Sequence, residues 1–430
     1  MQEQIQPRQT LERIDVSSLD VETPKSRPQS GSRKLPGGGP AVGGILAIAA
    51  IVIVAMSLRP GIVSVGPILP SIIDEFQLSH ATASLLVSIP DVLMGLLALP
   101  TPWLARRFGR NPVLLTALVL LALSIFARAF STAASELLMT TVGVGIGIAI
   151  AGALVAGFIK EYFPARAAFV TGIYATALSF GSSLSAAITG PIATNAESGW
   201  RVASGIWSIF GLFAIIAWLA VVMSERRNAV AERKQTAVMR LPIKNGKAWG
   251  IALYFACINF LFYSLLSWIT SVYVEIGFST TTAGFILATF LVIFMAANPI
   301  FGWLSKSLDR RAWLAGCGLF AMAGLVPLAV VPDLAPFLFI AVCAIGLGGA
   351  FTLAMTLPLD NTRSVEEANS WNAFVMMVAY IVAATGPLLV GRLRDLNGNF
   401  QIAMWLLVAV AALMCVLSPF LKPNISHHSD

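Results

Sequence analysis

Charged residues are scarce in this sequence. Asp, Glu, Lys and Arg make up 11% of the 430 residues, whereas hydrophobic residues make up 57% and the mean hydropathy is +0.81. A typical soluble chain carries roughly 25% charged residues, and a soluble fold could not cover so much apolar surface with so few charges. The composition therefore excludes soluble enzyme domains and predicts an integral membrane protein. Its long apolar runs also exclude an outer-membrane barrel, whose strands alternate apolar and polar residues.

Cysteine and histidine are equally scarce. The four cysteines lie inside apolar runs and form no CxxC pair, so they are interpreted as small packing residues rather than disulfide or zinc ligands. The histidines are His80, His427 and His428, which are too dispersed to ligate one metal. No Walker sequence is present. The sequence predicts no cofactor, no metal and no ATP drive.

Twelve apolar segments follow a polar stretch. Residues 1–42 are rich in Pro, Gly and Ser and lack the apolar core of a signal peptide, which indicates a disordered cytoplasmic tail. Each later segment has about 20 residues or more, enough to cross a ~30 Å hydrocarbon core. The predicted fold class is an all-α membrane protein with twelve transmembrane helices. The segments lie near 43–73, 80–105, 112–131, 135–159, 165–193, 200–224, 248–276, 279–305, 311–331, 333–359, 366–391 and 399–421.

The two halves of the chain repeat each other. AITGP at 187–191 recurs as AATGP at 383–387, and WLARRFGR at 103–110 has a counterpart in WLSKSLDR at 303–310. These offsets are half of the chain beyond the tail, and two parallel six-span repeats are typical of the major facilitator architecture. The sequence therefore predicts a six-helix lobe at 43–224, a basic cytoplasmic linker at 225–247, a second lobe at 248–422 and a cytoplasmic tail at 423–430.

Basic residues set the expected orientation. With both termini cytoplasmic, 23 of the 28 Lys and Arg residues lie on the cytoplasmic side and one, Arg59, lies within the membrane. The remaining four are assigned to the outside: Arg128, Arg201, Arg392 and Arg394. This bias predicts a multi-pass protein of the plasma (inner) membrane, and it accounts for the basic pI without nucleic acid.

The loop after the second span resembles the major facilitator motif G-x-x-x-D-R-x-G-R-[RK]. It reads PWLARRFGRN at 102–111, so Pro102 and Arg106 replace the usual Gly and Asp. The basic residues of this loop and of its counterpart in the second half are interpreted as gating-loop residues: Arg106, Arg107, Arg110, Arg310 and Arg311.

Other stretches resemble the cyanate-permease and nitroimidazole-exporter (CynX/NimT) family, a branch of the major facilitators. They are LRPGIVSVGPILP at 58–70, IKEYFP at 159–164, TGIYATALS at 171–179, FYSLLSW at 262–268 and GPLLVG at 386–391 with Asp395. The resemblance implies a secondary transporter that works by alternating access, because members carry small anions such as cyanate or export small nitro-heterocycles. The sequence departs from the family at Asp91, where an apolar residue is usual, and at Gly152 and Ala156, where Asn and Pro are usual.

Two charged residues lie near the middle of the bilayer. Arg59 is about 22 Å into the first span, where a charge costs at least ~2.5–3.5 kcal/mol and requires a cavity or a partner. Arg59 is therefore predicted to contact an anionic substrate, with a structural ion pair to Asp91 as the alternative. Asp91 is a proton-coupling candidate; it could instead be the counter-ion of Arg59 or line a wet vestibule.

Polar and aromatic residues in spans seven and eleven are further substrate-binding candidates. Asn259 and Tyr263 are four residues apart and share a helix face, and Trp268 lies far from either end of its span. Trp371, Asn372 and Tyr380 are the candidates in span eleven. All of these are alternatively packing residues or interface anchors.

The leading functional hypothesis is a monomeric secondary transporter, with or without proton coupling, for a small anion, a carboxylate or a nitro-heterocycle. An exporter of small aromatic drugs is the alternative within transport, favoured by the aromatic residues of span seven. A membrane-embedded enzyme is not expected, because only Arg59 and Asp91 are charged at membrane depth. A transport-inactive receptor is the alternative from another class. The expected partners are a small-molecule substrate and the lipid bilayer.

Overall fold

The computed structural model describes residues 41–163, 166–195, 199–227, 241–305, 309–362 and 365–423. Within these ranges the chain consists of helices joined by short turns, which confirms the all-α prediction. The predictions for the tail before residue 41, for 228–240 and for residues after 423 lie outside the described residues.

The first half of the chain forms spans one to six. The helices are α1 (Ala41–Leu58), α2 (Pro60–Val63), α3 (Val65–Phe76), α4 (His80–Ala83), α5 (Leu85–Leu97), α6 (Thr101–Phe108), α7 (Arg110–Arg128), α8 (Ala134–Tyr162), α9 (Ala167–Asn195), α10 (Trp200–Gly205) and α11 (Ser208–Arg227). Span one comprises α1–α3, span two α4–α5, and spans three to five α7, α8 and α9. Span six comprises α10–α11, and α6 is a short loop helix.

The second half forms spans seven to twelve. The helices are α12 (Gly246–Glu275), α13 (Thr280–Leu304), α14 (Arg311–Val330), α15 (Pro336–Asp360), α16 (Val365–Ala383), α17 (Thr385–Asn397) and α18 (Gln401–Leu417), followed by a 3-10 turn at Ser418–Phe420. Spans seven to ten are α12 to α15, span eleven is α16–α17 and span twelve is α18.

Length and hydropathy identify eleven of these spans as membrane-crossing within the described ranges. The twelfth, α9, has 29 residues and is rich in Ser, Thr and Gly, which lowers its mean hydropathy without shortening it. It occupies the predicted fifth span. Large apolar side chains on span six, such as Leu212 and Phe213, are exposed where lipid would cover them.

Among the described residues, the main packing between the two halves involves three pairs of spans. α9 packs along α13, α5 and α4 pack on α16 and α17, and α3 packs on α12. Span seven is deeply enclosed, with 83% of its apolar stretch buried against 28% in span six. Side chains on span seven are therefore well placed to line the centre of the bundle. We name the end that carries α6 the basic end, and the opposite end, where α4 begins at His80, the far end.

Candidate functional site

Arg59 lies at a break in span one. α1 ends at Leu58 and α2 begins at Pro60, which suits the first position of a helix because its missing N–H would have no helical partner there. The Arg59 carbonyl accepts hydrogen bonds from the backbone N–H groups of Ile62 and Val63, both at 3.0 Å. The Pro-Gly sequence after Arg59 thus fixes the backbone at the only cation predicted for the membrane interior.

The Arg59 guanidinium reaches across to the second half of the chain. Its Nη1 donates to the Tyr263 Oη at 2.8 Å. Tyr263 is buried on α12, and its ring lies edge-on to that of Tyr380 on α16, with centroids 6.2 Å apart. Tyr380 and Tyr174 of α9 also lie within electrostatic range of Arg59. Phenols from spans five, seven and eleven therefore lie around one guanidinium.

Asp91 is fully buried in α5, and neither carboxylate oxygen has a hydrogen-bond partner among the described residues. Arg59 lies within electrostatic range of this carboxylate, but no hydrogen bond joins these two described side chains. The structure therefore favours neither a tight Arg59–Asp91 ion pair nor a water-exposed carboxylate. The backbone around Asp91 is tightly packed, because a Cβ on Gly145 of α8 would lie 2.8 Å from the Cα of Pro90.

Three other predicted residues lie towards the basic end from this cluster. Asn259 is buried one turn from Tyr263, and its Nδ2 donates to the Phe255 carbonyl at 2.8 Å. Trp371 is buried and Asn372 is half-buried on α16, about 12 Å along the helix from Tyr380. The structure thus brings Tyr263 and Tyr380 to Arg59, and leaves Asn259, Trp371 and Asn372 further along the same two spans.

Trp268 lies at the far end, away from Arg59. It is fully buried, and its Nε1 donates to the Pro387 carbonyl at 2.9 Å. Its ring contacts those of His80 and Phe400, each with centroids 5.5 Å away. A Cβ on Gly391 would lie 2.9 Å from the Trp268 ring and 2.6 Å from the His80 carbonyl. The structure therefore places Trp268 in a tight contact between spans two, seven and eleven.

A carboxylate from span eleven closes this contact. Asp395 accepts hydrogen bonds from the backbone N–H groups of His80 and Ala81, both at 2.9 Å, and contacts the His80 Nδ1 at 2.8 Å. Nearby, a Cβ on Gly66 of α3 would lie 2.7 Å from the Leu266 carbonyl of α12. The two halves are therefore held together at the far end by both polar and backbone contacts.

One hydrogen bond between the two halves lies at the basic end. It joins Lys160 Nζ to Asn369 Oδ1 at 3.3 Å, and both side chains are exposed. Gly157 of span four and Gly172 of span five are exposed, and a Cβ added to either would meet no described atom within 4 Å. The two closest approaches between the halves that the described glycines show, at Gly66 and Gly391, lie at the far end.

The predicted gating-loop arginines divide into paired and exposed residues. Arg110 Nη1 donates to Glu161 Oε2 at 2.7 Å, and Arg310 Nε donates to Asp360 Oδ2 at 2.8 Å. These pairs occupy equivalent positions in the two halves, each joining the loop after an even span to the end of the next even span. Arg106 and Arg107 are exposed, with Arg107 over the rings of its neighbours, and Arg311 binds Asp309.

Three residues of the site region were not predicted from the sequence. Tyr174 belongs to a quoted family motif in span five, and that motif was the available signal. His80 and Asp395 are 315 residues apart, and no local pattern relates them. Among the described residues, no group of three or more His, Cys, Asp or Glu could hold a metal ion.

Comparison with known proteins adds to the geometry. The Major Facilitator Superfamily sequence profile matches residues 45–364 and 271–429. The cyanate transport protein CynX of Escherichia coli is 30% identical over 350 residues, which cover 81% of this chain and 90% of that protein. The 2-nitroimidazole transporter of Escherichia coli is 27% identical over 378 residues, which cover 86% and 94%. A probable nitrate/nitrite transporter, NarK2 of Mycobacterium tuberculosis, is 31% identical over 382 residues, covering 82% and 90%.

Solved structures agree on the fold. A bacterial homologue of the human lysosomal transporter Spinster, in an inward-facing and occupied conformation, superposes with a TM-score of 0.74 at 17% identity and covers 89% of this chain and 97% of that one. A D-xylose–proton symporter superposes with a TM-score of 0.69 at 16% identity, covering 90% and 99%. The helical architecture, the family profile and the sequence relatives agree, and this chain belongs to the Major Facilitator Superfamily, in its CynX/NimT family of membrane transporters.

Proposed function

We propose that this protein is a secondary transporter that carries a small anion by alternating access, with Arg59 as the main anion contact. The observation that carries the proposal is the environment of Arg59. Its guanidinium meets a phenol at 2.8 Å, and no carboxylate is hydrogen-bonded to it among the described residues. A cation held near the middle of a membrane without a bonded counter-ion is costly, and an anionic substrate would remove that cost.

The geometry of the site favours a small planar anion. A guanidinium presents parallel N–H donors that match two oxygens of such an anion, and Tyr263 and Tyr380 offer hydroxyl groups beside it. The relative named for nitrate/nitrite supports this substrate class directly, because both are planar anions with at least two oxygens. Cyanate is a small linear anion, and 2-nitroimidazole carries a planar nitro group with two oxygens. A substrate that accepts from Arg59 would replace Tyr263 Oη as the acceptor and so change a contact between the two halves.

Asp91 is the proposed proton carrier. A buried carboxylate without a hydrogen-bond partner is far less costly when protonated than when ionised. An anion that neutralises Arg59 removes the positive charge that favours ionisation of Asp91, so anion binding and proton binding are expected to support each other. The expected cycle is anion–proton symport, with loading while one end is open and release at the other.

Uptake into proteoliposomes tests the transport proposal. Purified wild-type protein should carry nitrate or cyanate into vesicles, and Arg59→Ala should abolish this uptake while the protein remains folded. Arg392→Ala is the matched control, because Arg392 is an exposed arginine on α17, outside both the site and the gating loops. Saturable anion binding without any uptake would support a transport-inactive receptor instead.

Asp91→Asn tests the coupling. We expect the variant to lose proton-driven accumulation of the anion but to retain exchange of internal for external anion, because the substituted amide cannot carry a proton. Accumulation driven by a proton gradient at the wild-type level in Asp91→Asn would exclude Asp91 as the carrier.

Export of a small nitro-heterocycle is the second candidate function. Phe262, Tyr263, Phe290 and Phe294 form a continuous set of ring contacts beside the site, with centroids between 4.8 and 6.2 Å apart. A flat heterocycle could stack against these aromatic rings. Efflux of 2-nitroimidazole that persists in Arg59→Ala would favour this candidate over anion transport.

A further inference from the structure

Arg128, which the sequence assigns to the outer side of the membrane, is the last residue of α7 and is buried. Its side chain is 1% exposed. Its Nη1 donates to the Gly61 carbonyl at 2.8 Å and its Nη2 donates to Thr141 Oγ1 at 3.2 Å. Among the described residues its Nε has no hydrogen-bond partner and no carboxylate pairs with it. The chain thus holds a second buried cation that has no counter-ion among the described residues.

Stability alone gives no reason to keep this arginine. A buried charge without a counter-ion is costly, and an apolar side chain of similar volume often serves a buried position as well or better. A hydrogen bond from the hydroxyl or amide of an uncharged residue could satisfy a single carbonyl. The role of Arg128 therefore depends on where the Gly61 carbonyl lies in span one.

Gly61 lies two residues beyond Arg59, which is about 200° around a helix. The contacts at Arg59 and at Gly61 consequently lie on opposite sides of span one. Arg59 faces Tyr263 of the second half, while a Cβ on Gly61 would lie 3.0 Å from both Ile125 of α7 and Val144 of α8. Span one is thus pressed against α7 and α8 at the level of its break.

Span one has fewer backbone hydrogen bonds on both sides of this carbonyl. Pro60 and Pro67 each lack a backbone N–H, so the carbonyls of Met56 and Val63, four residues before them, have no helical donor, and the helix is interrupted at Arg59 and Ser64. The segment between the breaks, α2, has four residues and too few internal hydrogen bonds to fix its own position. A long cationic donor anchored at the end of α7 can reach it and bind a carbonyl strongly.

We propose that Arg128 is a positioning residue of the anion site: it holds α2 against α7 through the Gly61 carbonyl, and so sets where the Arg59 guanidinium meets the anion. This inference rests on the proposed function of Arg59. It assigns no substrate contact to Arg128, which acts through the backbone of span one.

A double-mutant cycle on the purified protein, with nitrate as the probe, tests this inference. Arg128→Met keeps the length of the side chain and removes the donors, and Arg128→Lys keeps one charged donor. We expect Arg128→Met to weaken nitrate binding about tenfold, or ~1.4 kcal/mol, and Arg128→Lys to recover part of that loss. In an Arg59→Lys background the effect of Arg128→Met should shrink to about twofold, because a flexible ammonium depends less on alignment than a planar fork.

Arg201→Met is the matched control. Arg201 also binds span one, through Glu75 at the far end, but it does not touch the break. Its effect on nitrate binding should be small and equal in both backgrounds. The Tm of Arg128→Met should stay within a few degrees of wild type, because the lost hydrogen bond is offset by removal of a buried charge.

Each alternative outcome of this experiment leads to a different conclusion. Wild-type nitrate affinity in a folded Arg128→Met protein would overturn the inference and leave the role of Arg59 intact. Equal effects of Arg128→Met in both backgrounds, or a large fall in Tm with no recovery in Arg128→Lys, would assign Arg128 a general structural role and also overturn it. Wild-type affinity in Arg59→Ala would remove the anion site itself, and with it both proposals.

Discussion

Removing the Asp395 carboxylate should open the far end of the protein. Asp395 contacts His80 and Ala81 through hydrogen bonds of 2.8 to 2.9 Å that join span eleven to span two. Hydrogen bonds to a charged group contribute roughly 1.5–3 kcal/mol each when buried. The Asp395 side chain is 18% exposed, and water replaces its donors in the open state, so we expect a total of about 2–3 kcal/mol. Asp395→Ala should therefore raise the fraction open at the far end about 30- to 150-fold.

The rate of thiol labelling measures this shift. Thr270 is buried one turn beyond Leu266, on the face of α12 that meets α3. In a background without the four native cysteines, Thr270→Cys should react slowly with a membrane-impermeant maleimide added at the far end. Asp395→Ala should accelerate that reaction about 30- to 150-fold. Asp395→Asn, which keeps an acceptor oxygen, should accelerate it less.

Glu275→Gln is the control for this experiment. Glu275 binds Arg394 at 2.9 Å at the same end of the protein, but both residues belong to the second half. Its loss should leave the labelling rate unchanged. Equal rates in Asp395→Ala, Glu275→Gln and wild type would refute the assignment of Asp395 to far-end closure.

Two further predictions follow from the same architecture. Gly391→Ala should impair closure at the far end and slow transport at least tenfold, because its Cβ would lie 2.6 Å from the His80 carbonyl. The control is Gly316→Ala, whose added Cβ would meet no described atom within 4 Å and which should transport normally. Equal uptake by the two variants would contradict the packing argument. The basic end is predicted to be cytoplasmic. In intact cells, Lys244→Cys should therefore resist an impermeant thiol reagent, while Leu334→Cys should react readily because that position is 75% exposed at the far end. The reverse labelling pattern would show that the far end is cytoplasmic instead.

Most of the fold was predictable because hydropathy and length govern membrane spans directly. Arg59 was predictable for the same reason, since a charge in a long apolar run requires a partner. Tyr263 followed from its depth in span seven and from its helix face. The sequence also related the two basic loops, and the structure gives their arginines equivalent carboxylate partners in Glu161 and Asp360.

Tertiary contacts between distant residues were not predictable in this way. Trp268 and Tyr263 are five residues apart and look alike as aromatic residues in an apolar span, yet one lies at the far end and the other beside Arg59. His80 has no local feature that indicates a carboxylate from span eleven. The count of basic residues assigned Arg128 to the outer side of the membrane but could not predict its burial, which results from the packing of α7 against span one.

The most direct test of the central claim is the equilibrium affinity of Arg59 variants for nitrate. Arg59→Lys keeps the charge and loses the planar pair of donors, so we expect affinity to fall about tenfold or more, and Arg59→Ala should show no saturable binding. Tm, measured in parallel for both variants and for the Arg59→Ala/Asp91→Asn double variant, separates lost binding from lost folding. The account predicts a folded Arg59→Ala protein that does not bind nitrate; a folded Arg59→Ala protein with wild-type affinity would contradict it.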